Sequence, residues 1–194
     1  MDDRQTTHEL LNENDVVALL LRQHGEIAEH FEEVERATGP ERRDAFHRLV
    51  RLLAVHETAE EEIVHPYVRL KLQDGDTVVG KRLKEERQGK LLLAHLEGLG
   101  TDHPDFPRNL RALRATVTAH TRAEERDEFP LLRAHTNAAE RRALAAGVRA
   151  AQAMAPTHPH PGVESATRNV LLGPPAAIVD RTRDAIRKAM GGQA

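Results

Sequence analysis

The chain has 194 residues, of which 39% are hydrophobic and only 3% aromatic, and its formal net charge is −3. Ala, Leu, Arg and Glu dominate, and this composition favours helices over strands. The small negative charge argues against a nucleic-acid partner, because such proteins usually carry a broad basic surface. The sequence has no cysteine, which excludes disulfides and thiolate metal sites.

No apolar run approaches membrane-spanning length, so no membrane partner is expected. The polar start, Met1-Asp2-Asp3-Arg4, is not typical of a signal peptide. Together with the lack of cysteine, these features favour a cytoplasmic protein. Residues 1–13 show no periodicity and are predicted to form a flexible N-terminal arm.

A first helix is predicted from Asn14 or Asp15, either of which can cap it, to about Thr38. Apolar residues recur at helical spacing along one face: Val17, Leu20, Ile27, Phe31 and Val34. His24 interrupts that apolar face. A lone histidine at such a position is commonly a core or surface residue, so its importance depends on the other helices.

A second helix is predicted from about Glu41 to Leu72, and it contains the motif His56-Glu57-Thr58-Ala59-Glu60-Glu61. Its inward face is predicted to be Phe46, Leu49, Leu53, His56, Glu60, Ile63, Tyr67 and Leu70. Pro66 is expected to kink the helix. His65 lies about opposite His56 on a regular helix, so it is not included in the predicted site.

A third helix is predicted from about Thr77 to Leu99, and Glu86 is the ionisable residue on its best apolar face. Glu85 and Arg87 flank it, so a solvated charged face is the alternative interpretation. A fourth helix is predicted from about Pro107 to Ala134, with an inward face of Leu110, Leu113, Val117, His120, Glu124 and Leu131. It contains His120-Thr121-Arg122-Ala123-Glu124-Glu125, a second copy of the motif in the second helix.

The two motif copies match in detail. In each, Glu follows His by four residues, so both side chains lie on one helical face about 5–6 Å apart. A proline follows each His by ten residues, at Pro66 and Pro130. Two such copies on facing helices would supply a set of ligands suited to a transition metal rather than to Mg²⁺ or Ca²⁺.

Short connections between four helices of similar length predict an all-α, up-down-up-down four-helix bundle. Residues 14–135 are assigned to this bundle and residues 136–194 to a C-terminal helical extension. Asn137 is expected to cap a helix ending at about Met154, and another helix is predicted from about Ala176 to Met190. The sequence leaves open whether the extension covers the bundle or pairs with another subunit, and it does not define the oligomeric state.

Six inward residues form the candidate metal site: His24, His56, Glu60, Glu86, His120 and Glu124. Buried charges cost several kcal/mol unless they are paired or metal-bound, and no inward Lys or Arg is predicted opposite them. Imidazole with carboxylate suits Fe, Mn or Zn. Tyr67 is interpreted as a packed aromatic with a bonded hydroxyl, or as a neighbour at the edge of the site. The remaining alternative is a metal-free helical interaction protein whose His and Glu residues are solvated.

The His of the first helix, the two HxxxEE motifs and Phe129-Pro130 resemble the hemerythrin-like, HHE cation-binding domain family over about residues 14–135. Within it, the chain is most similar to the longer actinobacterial, mycobacterial-type proteins. The resemblance implies a non-haem site of two iron ions, oxo- and carboxylate-bridged. His24, His56, Glu60, His120 and Glu124 would be ligands, with Glu60 and Glu124 bridging.

The third helix departs from the family pattern, because hemerythrins place one or two His there and this chain offers Glu86. A third carboxylate favours ferric over ferrous iron, and reversible O₂ carriage needs the ferrous state. The resemblance therefore implies an oxidised centre acting on H₂O₂, catalase-like, in oxidative or nitrosative stress. The alternative is a module that binds O₂ or NO, or senses iron or redox state, without turnover.

Overall fold

The computed structural model describes residues 14–154, and within that range the secondary structure is entirely helical. The helices are α1 (Val16–Arg36), α2 (Gly39–Ala59), α3 (His65–Lys71), α4 (Gly75–Leu99), α5 (Phe106–Ala123), α6 (Phe129–Ala134) and α7 (Ala138–Met154). Two π-helical turns, Glu60–Val64 and Glu124–Glu128, join α2 to α3 and α5 to α6. The predicted all-α bundle is confirmed.

Helix α1 packs mainly on α2, α4 packs on α5, and α7 packs across α1 and α2. Sequence signals set the ends of these helices. The Asp15 carboxylate accepts a hydrogen bond from the amide of Val17 at 2.9 Å, so Asp15 is the residue that caps α1. Gly39 begins α2 with φ +54°, a left-handed conformation that favours glycine, and Pro40 follows in the first turn.

The two π turns follow from the shared spacing of the motif copies. The amide of His65 donates to the carbonyl of Glu60, and the amide of Phe129 donates to the carbonyl of Glu124, five residues back in each case. Pro66 and Pro130 come directly afterwards. Proline has no N–H and clashes with the preceding turn of a regular helix, and a wider turn accommodates it.

Each π turn moves the buried face by one residue, which corrects two sequence predictions. Leu70 was expected to face inward but is 73% exposed, and Leu131 is 40% exposed. Leu132 is fully buried instead of Leu131. A π turn holds one residue more than an α turn, so the regular helical spacing used for the prediction fails beyond it.

The buried apolar side chains form two separate clusters. One contains the first turns of α1, parts of α3 and α6, and α7; the other contains Ile27, Leu53, Leu93 and Val117 with their neighbours. Along each long helix, the predicted ligands fall between the two clusters: His24, for example, lies between Leu20 of the first and Ile27 of the second. The fold thus places a polar layer between two apolar ones.

Helix α7 completes the first apolar cluster with Leu144, Ala145, Val148 and Ala151. Asn137 caps it, as predicted, because its side-chain oxygen accepts from the amides of Ala139 and Glu140. The buried Glu140 accepts from Tyr67 at 3.1 Å and from Lys71 at 2.8 Å. Burial favours a higher pKa for Glu140, but its hydrogen bonds outweigh burial and lower the pKa below its ordinary 4.5.

Among the described residues, the helices are too short or too polar for any to cross a membrane. The predicted N-terminal arm (1–13) and the predicted helix 176–190 lie outside the described range. The division of the chain at residue 135 stays a prediction.

Candidate metal centre

The three predicted imidazole ligands meet in the polar layer, and each is oriented by a hydrogen bond at Nδ1. His24 Nδ1 lies 2.8 Å from Glu125 Oε1, and His120 Nδ1 lies 3.1 Å from Glu85 Oε2. His56 Nδ1 lies 3.0 Å from the amide oxygen of Gln23, a partner that can only accept through that atom. If Nδ1 carries the proton, Nε2 of each ring keeps its lone pair, as a metal-ligating histidine requires.

Two carboxylates lie against these free Nε2 atoms. Glu124 spans two rings, with one oxygen 3.4 Å from Nε2 of His24 and the other 3.4 Å from Nε2 of His120. Glu60 Oε2 lies 3.4 Å from Nε2 of His56. Both carboxylates are 1% exposed. The HxxxE spacing was predicted to place one imidazole and one carboxylate of each helix at a common point, and the structure confirms this arrangement.

The donor atoms fall into two groups, each with all its atoms within 4.8 Å of one another. The first group is His24, His56, Glu60 and Glu124, and the second is Glu60, Glu86 and His120. Glu60 belongs to both. The structure thus brings all six sequence-predicted residues together, including Glu86, which is buried and not on a solvated face. Their role as metal ligands stays a prediction.

The hydrogen bonding of these residues tests whether a metal fits them. Nε2 of His24, His56 and His120 is buried without a hydrogen-bond partner, as are both oxygens of Glu60 and one oxygen each of Glu86 and Glu124. Buried polar atoms are normally satisfied, and leaving one unsatisfied costs about 1–3 kcal/mol. These atoms of the six predicted ligands are ones that a cation would bind, so the residues present fit a metal.

Burial and neighbouring charges shift the pKa values of the predicted ligands in different directions. Burial, together with His24, lowers the pKa of His56 to about 3. Burial also disfavours the charged form of His120, but Glu124 and Glu85 outweigh it and raise that pKa to about 9. Burial and the charge of Glu124 hold the pKa of Glu60 well above its ordinary value. A metal that binds here must displace protons, so metal affinity should fall with falling pH.

Buried cations do accompany the carboxylates, contrary to the sequence prediction that none faces inward. Lys90 is 5% exposed, and its Nζ lies 2.5 Å from Glu61 Oε1 and 4.0 Å from Glu57 Oε2. Arg82 is also buried, with a guanidinium nitrogen 3.1 Å from Glu85. Burial still dominates at Glu57 and Glu61, and raises the pKa of each carboxyl to about 8. The two cations therefore do not remove the excess of buried acid.

His65 was not included in the predicted site but is buried beside it, with 2% of its surface exposed. Its Nε2 lies 2.6 Å from Glu86 Oε1 and its Nδ1 lies 3.8 Å from Glu128 Oε1. On a regular helix His65 points about 180° away from His56, at about 100° per residue. The π turn absorbs one residue and reduces that angle to about 80°. The signal that could have located it is the proline directly after it, which a regular helix cannot accommodate.

Tyr67 is 4% exposed, and its hydroxyl donates to Glu140 on α7. Glu140 is not one of the six predicted ligands, so this observation agrees with the packed aromatic and not with a neighbour of the site. Burial, followed by the Glu140 carboxylate, raises the pKa of Tyr67. The phenol therefore stays protonated near neutral pH and joins α3 to α7.

Comparison with known proteins identifies the same family as the sequence motifs. A curated relative from Nostoc sp., named DNA nickase, is 28% identical over 124 residues, which are 63% of this chain and 34% of that protein. The chain thus spans about a third of that relative's length. No solved structure gives a significant match. The profile of the family described as hemerythrin HHE cation binding domain matches residues 15–132, the range that holds all six predicted ligands. The chain therefore belongs to the hemerythrin HHE cation-binding domain family.

Proposed function

We propose that the two donor groups bind two iron ions and that the loaded protein disproportionates hydrogen peroxide to water and O₂. Bound iron would supply the electron acceptor and donor that the reaction 2 H₂O₂ → 2 H₂O + O₂ requires. His24, His56, Glu60 and Glu124 would hold one ion, and Glu60, Glu86 and His120 the other.

The observation that carries this proposal is the oxygen content of the second donor group. Two of its three residues, Glu60 and Glu86, are carboxylates, and His120 is its only imidazole. Hard, negatively charged oxygen donors favour the ferric state over the ferrous one. Reversible O₂ carriage requires a stable ferrous state, so this donor group supports redox turnover instead.

The protein's own residues support the proposal by orienting the ligands and limiting access. Gln23 fixes the ring of His56, while Glu85 and Glu125 fix those of His120 and His24. The side chains of Glu85 and Glu125 are 36% and 39% exposed, whereas those of the six predicted ligands are nearly inaccessible. We infer that a molecule as small as H₂O₂ enters beside these two carboxylates, and that protons exchange with solvent there.

DNA cleavage forms no part of the proposal. The relative named DNA nickase is matched over only 34% of its length, so that activity cannot be carried to this chain. The absence of a nucleic-acid partner, expected from the net charge, also stays a prediction.

The test is O₂ release from H₂O₂, measured with an oxygen electrode on iron-loaded protein of known metal content. Glu124→Ala should lose iron and activity together, because Glu124 contacts an imidazole of each donor group. The matched control is Glu29→Ala, at an exposed position on α1. It should leave both unchanged.

Release no greater than that from the same concentration of free iron would refute the peroxide activity. A reversible spectral change of the reduced protein with O₂ or NO, without turnover, would support a binding module instead. Purified protein that binds no iron under anaerobic loading would refute the metal site itself.

A further inference from the structure

A further buried imidazole, that of His65, lies against the six predicted ligands without being one of them. It approaches Glu86 through Nε2, at 2.6 Å from Oε1, and faces Glu128 through Nδ1. The 2.6 Å separation is short for a hydrogen bond between nitrogen and oxygen, as expected for a charge-assisted one. The 3.8 Å separation on the other side is too long for a hydrogen bond. His65 therefore binds tightly to one carboxylate and loosely faces another.

The two oxygens of Glu86 are in different situations. Oε1 accepts from His65, whereas Oε2 is buried without a hydrogen-bond partner. Glu86 also belongs to the second donor group, with Glu60 and His120. One oxygen is thus fixed to the protein and the other is left for a cation. The predicted histidine ligands show the same arrangement. Nδ1 of each ring contacts a protein oxygen, on Gln23, Glu85 or Glu125, and Nε2 has no hydrogen-bond partner.

We infer that His65 is a positioning residue for the second metal ion, acting through Glu86. Its Nε2–H holds Glu86 Oε1, so that Glu86 presents Oε2 to an ion shared with Glu60 and His120. Glu128, 1% exposed, closes the other side of the ring. This inference rests on the proposed metal binding. The predicted helix from Thr77 to Leu99 offers no histidine to the site, and His65 on α3 supplies one beside it. Binding of the second ion would then depend on a residue that is not itself a ligand.

The experiment is anaerobic titration of metal-free protein with Fe(II), followed by calorimetry, with bound iron counted after desalting. Wild type should bind two ions. His65→Leu should bind the first normally and the second about 10–100-fold more weakly, the usual effect of losing a group that orients a ligand. His65→Gln should restore most of the affinity, because the amide nitrogen of Gln can take the place of Nε2 as donor.

Two controls separate positioning from a general effect on folding. His47→Leu makes the same substitution at an exposed position of α2 and should bind two ions with wild-type affinity. In a Glu86→Ala background, His65→Leu should add no further loss, because the two residues act through one contact. A merely structural role for His65 would instead weaken both ions and persist in that background.

The outcomes distinguish this inference from the proposed function. Wild type that binds no iron would refute both. Wild type and His65→Leu that each bind two ions with equal affinity would refute the role of His65 and leave the metal site standing. A second ion lost in both His65→Leu and His65→Gln, with additive loss in the Glu86→Ala background, would also overturn it.

Discussion

Replacing Glu60 by Gln should change protein stability in opposite directions with and without metal. Glu60 belongs to both donor groups, and both of its oxygens are buried without a hydrogen-bond partner. Gln has nearly the same shape but carries no charge. In metal-free protein the substitution removes a buried acid among like charges, so we expect it to stabilise the fold by about 1–3 kcal/mol.

With metal bound, the sign should reverse. A ligand present at about 100 times its Kd stabilises the fold by about 2.7 kcal/mol per site. Glu60→Gln weakens both sites and forfeits much of that gain. For a chain of this size, about 1 kcal/mol corresponds to a change in Tm of about 2–4 °C. The variant should therefore melt several degrees above wild type in EDTA and several degrees below it after iron loading.

The assay is thermal unfolding followed by circular dichroism at the helix band, on matched metal-free and iron-loaded samples. Glu62→Gln is the control, because Glu62 is a buried glutamate of the same π turn outside both donor groups. Its effect on Tm should be the same in both conditions. If Glu60→Gln lowered Tm equally with and without metal, the carboxylate would be a structural residue and the interpretation of the polar layer would fail.

Substitutions at three further positions test other parts of the structure. Gln23→Leu removes the acceptor at His56 Nδ1 and should weaken iron binding about 10–100-fold by calorimetry, while Gln23→Glu keeps an acceptor and should weaken it less. Gly75→Ala places a Cβ against the carbonyl of Val68 and should lower the free energy of unfolding by about 1–3 kcal/mol in urea. Glu140→Gln should cost about 1.5–3 kcal/mol near neutral pH. Because the folded pKa of Glu140 is lowered, its contribution is complete above about pH 4.5 and disappears as the pH falls through the folded pKa. The variant should therefore have a flatter stability profile below about pH 4.5, and an unchanged profile would refute this role of Glu140.

The sequence was sufficient to predict the helices and the meeting of the six residues, because both depend on regular spacing. His24, His56 and His120 interrupt apolar faces that obey the helical period, so their inward direction follows from their neighbours. Caps at Asp15 and Asn137 follow from local hydrogen bonding that needs no tertiary information. The inward direction of Glu86 follows less directly from the sequence, because charged residues flank it and the apolar face of its helix is less well defined.

Three of the missed features lie at or beyond the π turns. Leu70 and Leu131 were placed inward and His65 outward, because the regular period was extended through Pro66 and Pro130. Pro66 was expected to kink its helix, but a proline can also be accommodated by one extra residue in the preceding turn. Buried Lys90 was missed for another reason: its partners Glu57 and Glu61 are on α2 and the adjoining π turn, distant in sequence.

The two π turns also explain why a repeated motif builds an asymmetric site. In each copy the turn brings the residue five positions after the Glu of HxxxE against a residue of the polar layer. In the first copy that residue is His65, which holds Glu86; in the second it is Phe129, whose ring stacks on His24 with centroids 5.5 Å apart. One donor group therefore keeps two imidazoles, one of them packed against an apolar ring, while the other gains a carboxylate fixed by a histidine. Each donor group contains two carboxylates, but the first has two imidazoles and the second has one, so two ions bound there would have different ligands and surroundings. The ion beside Glu86 should be the harder one to reduce, and stepwise reductive titration should reveal two unequal potentials.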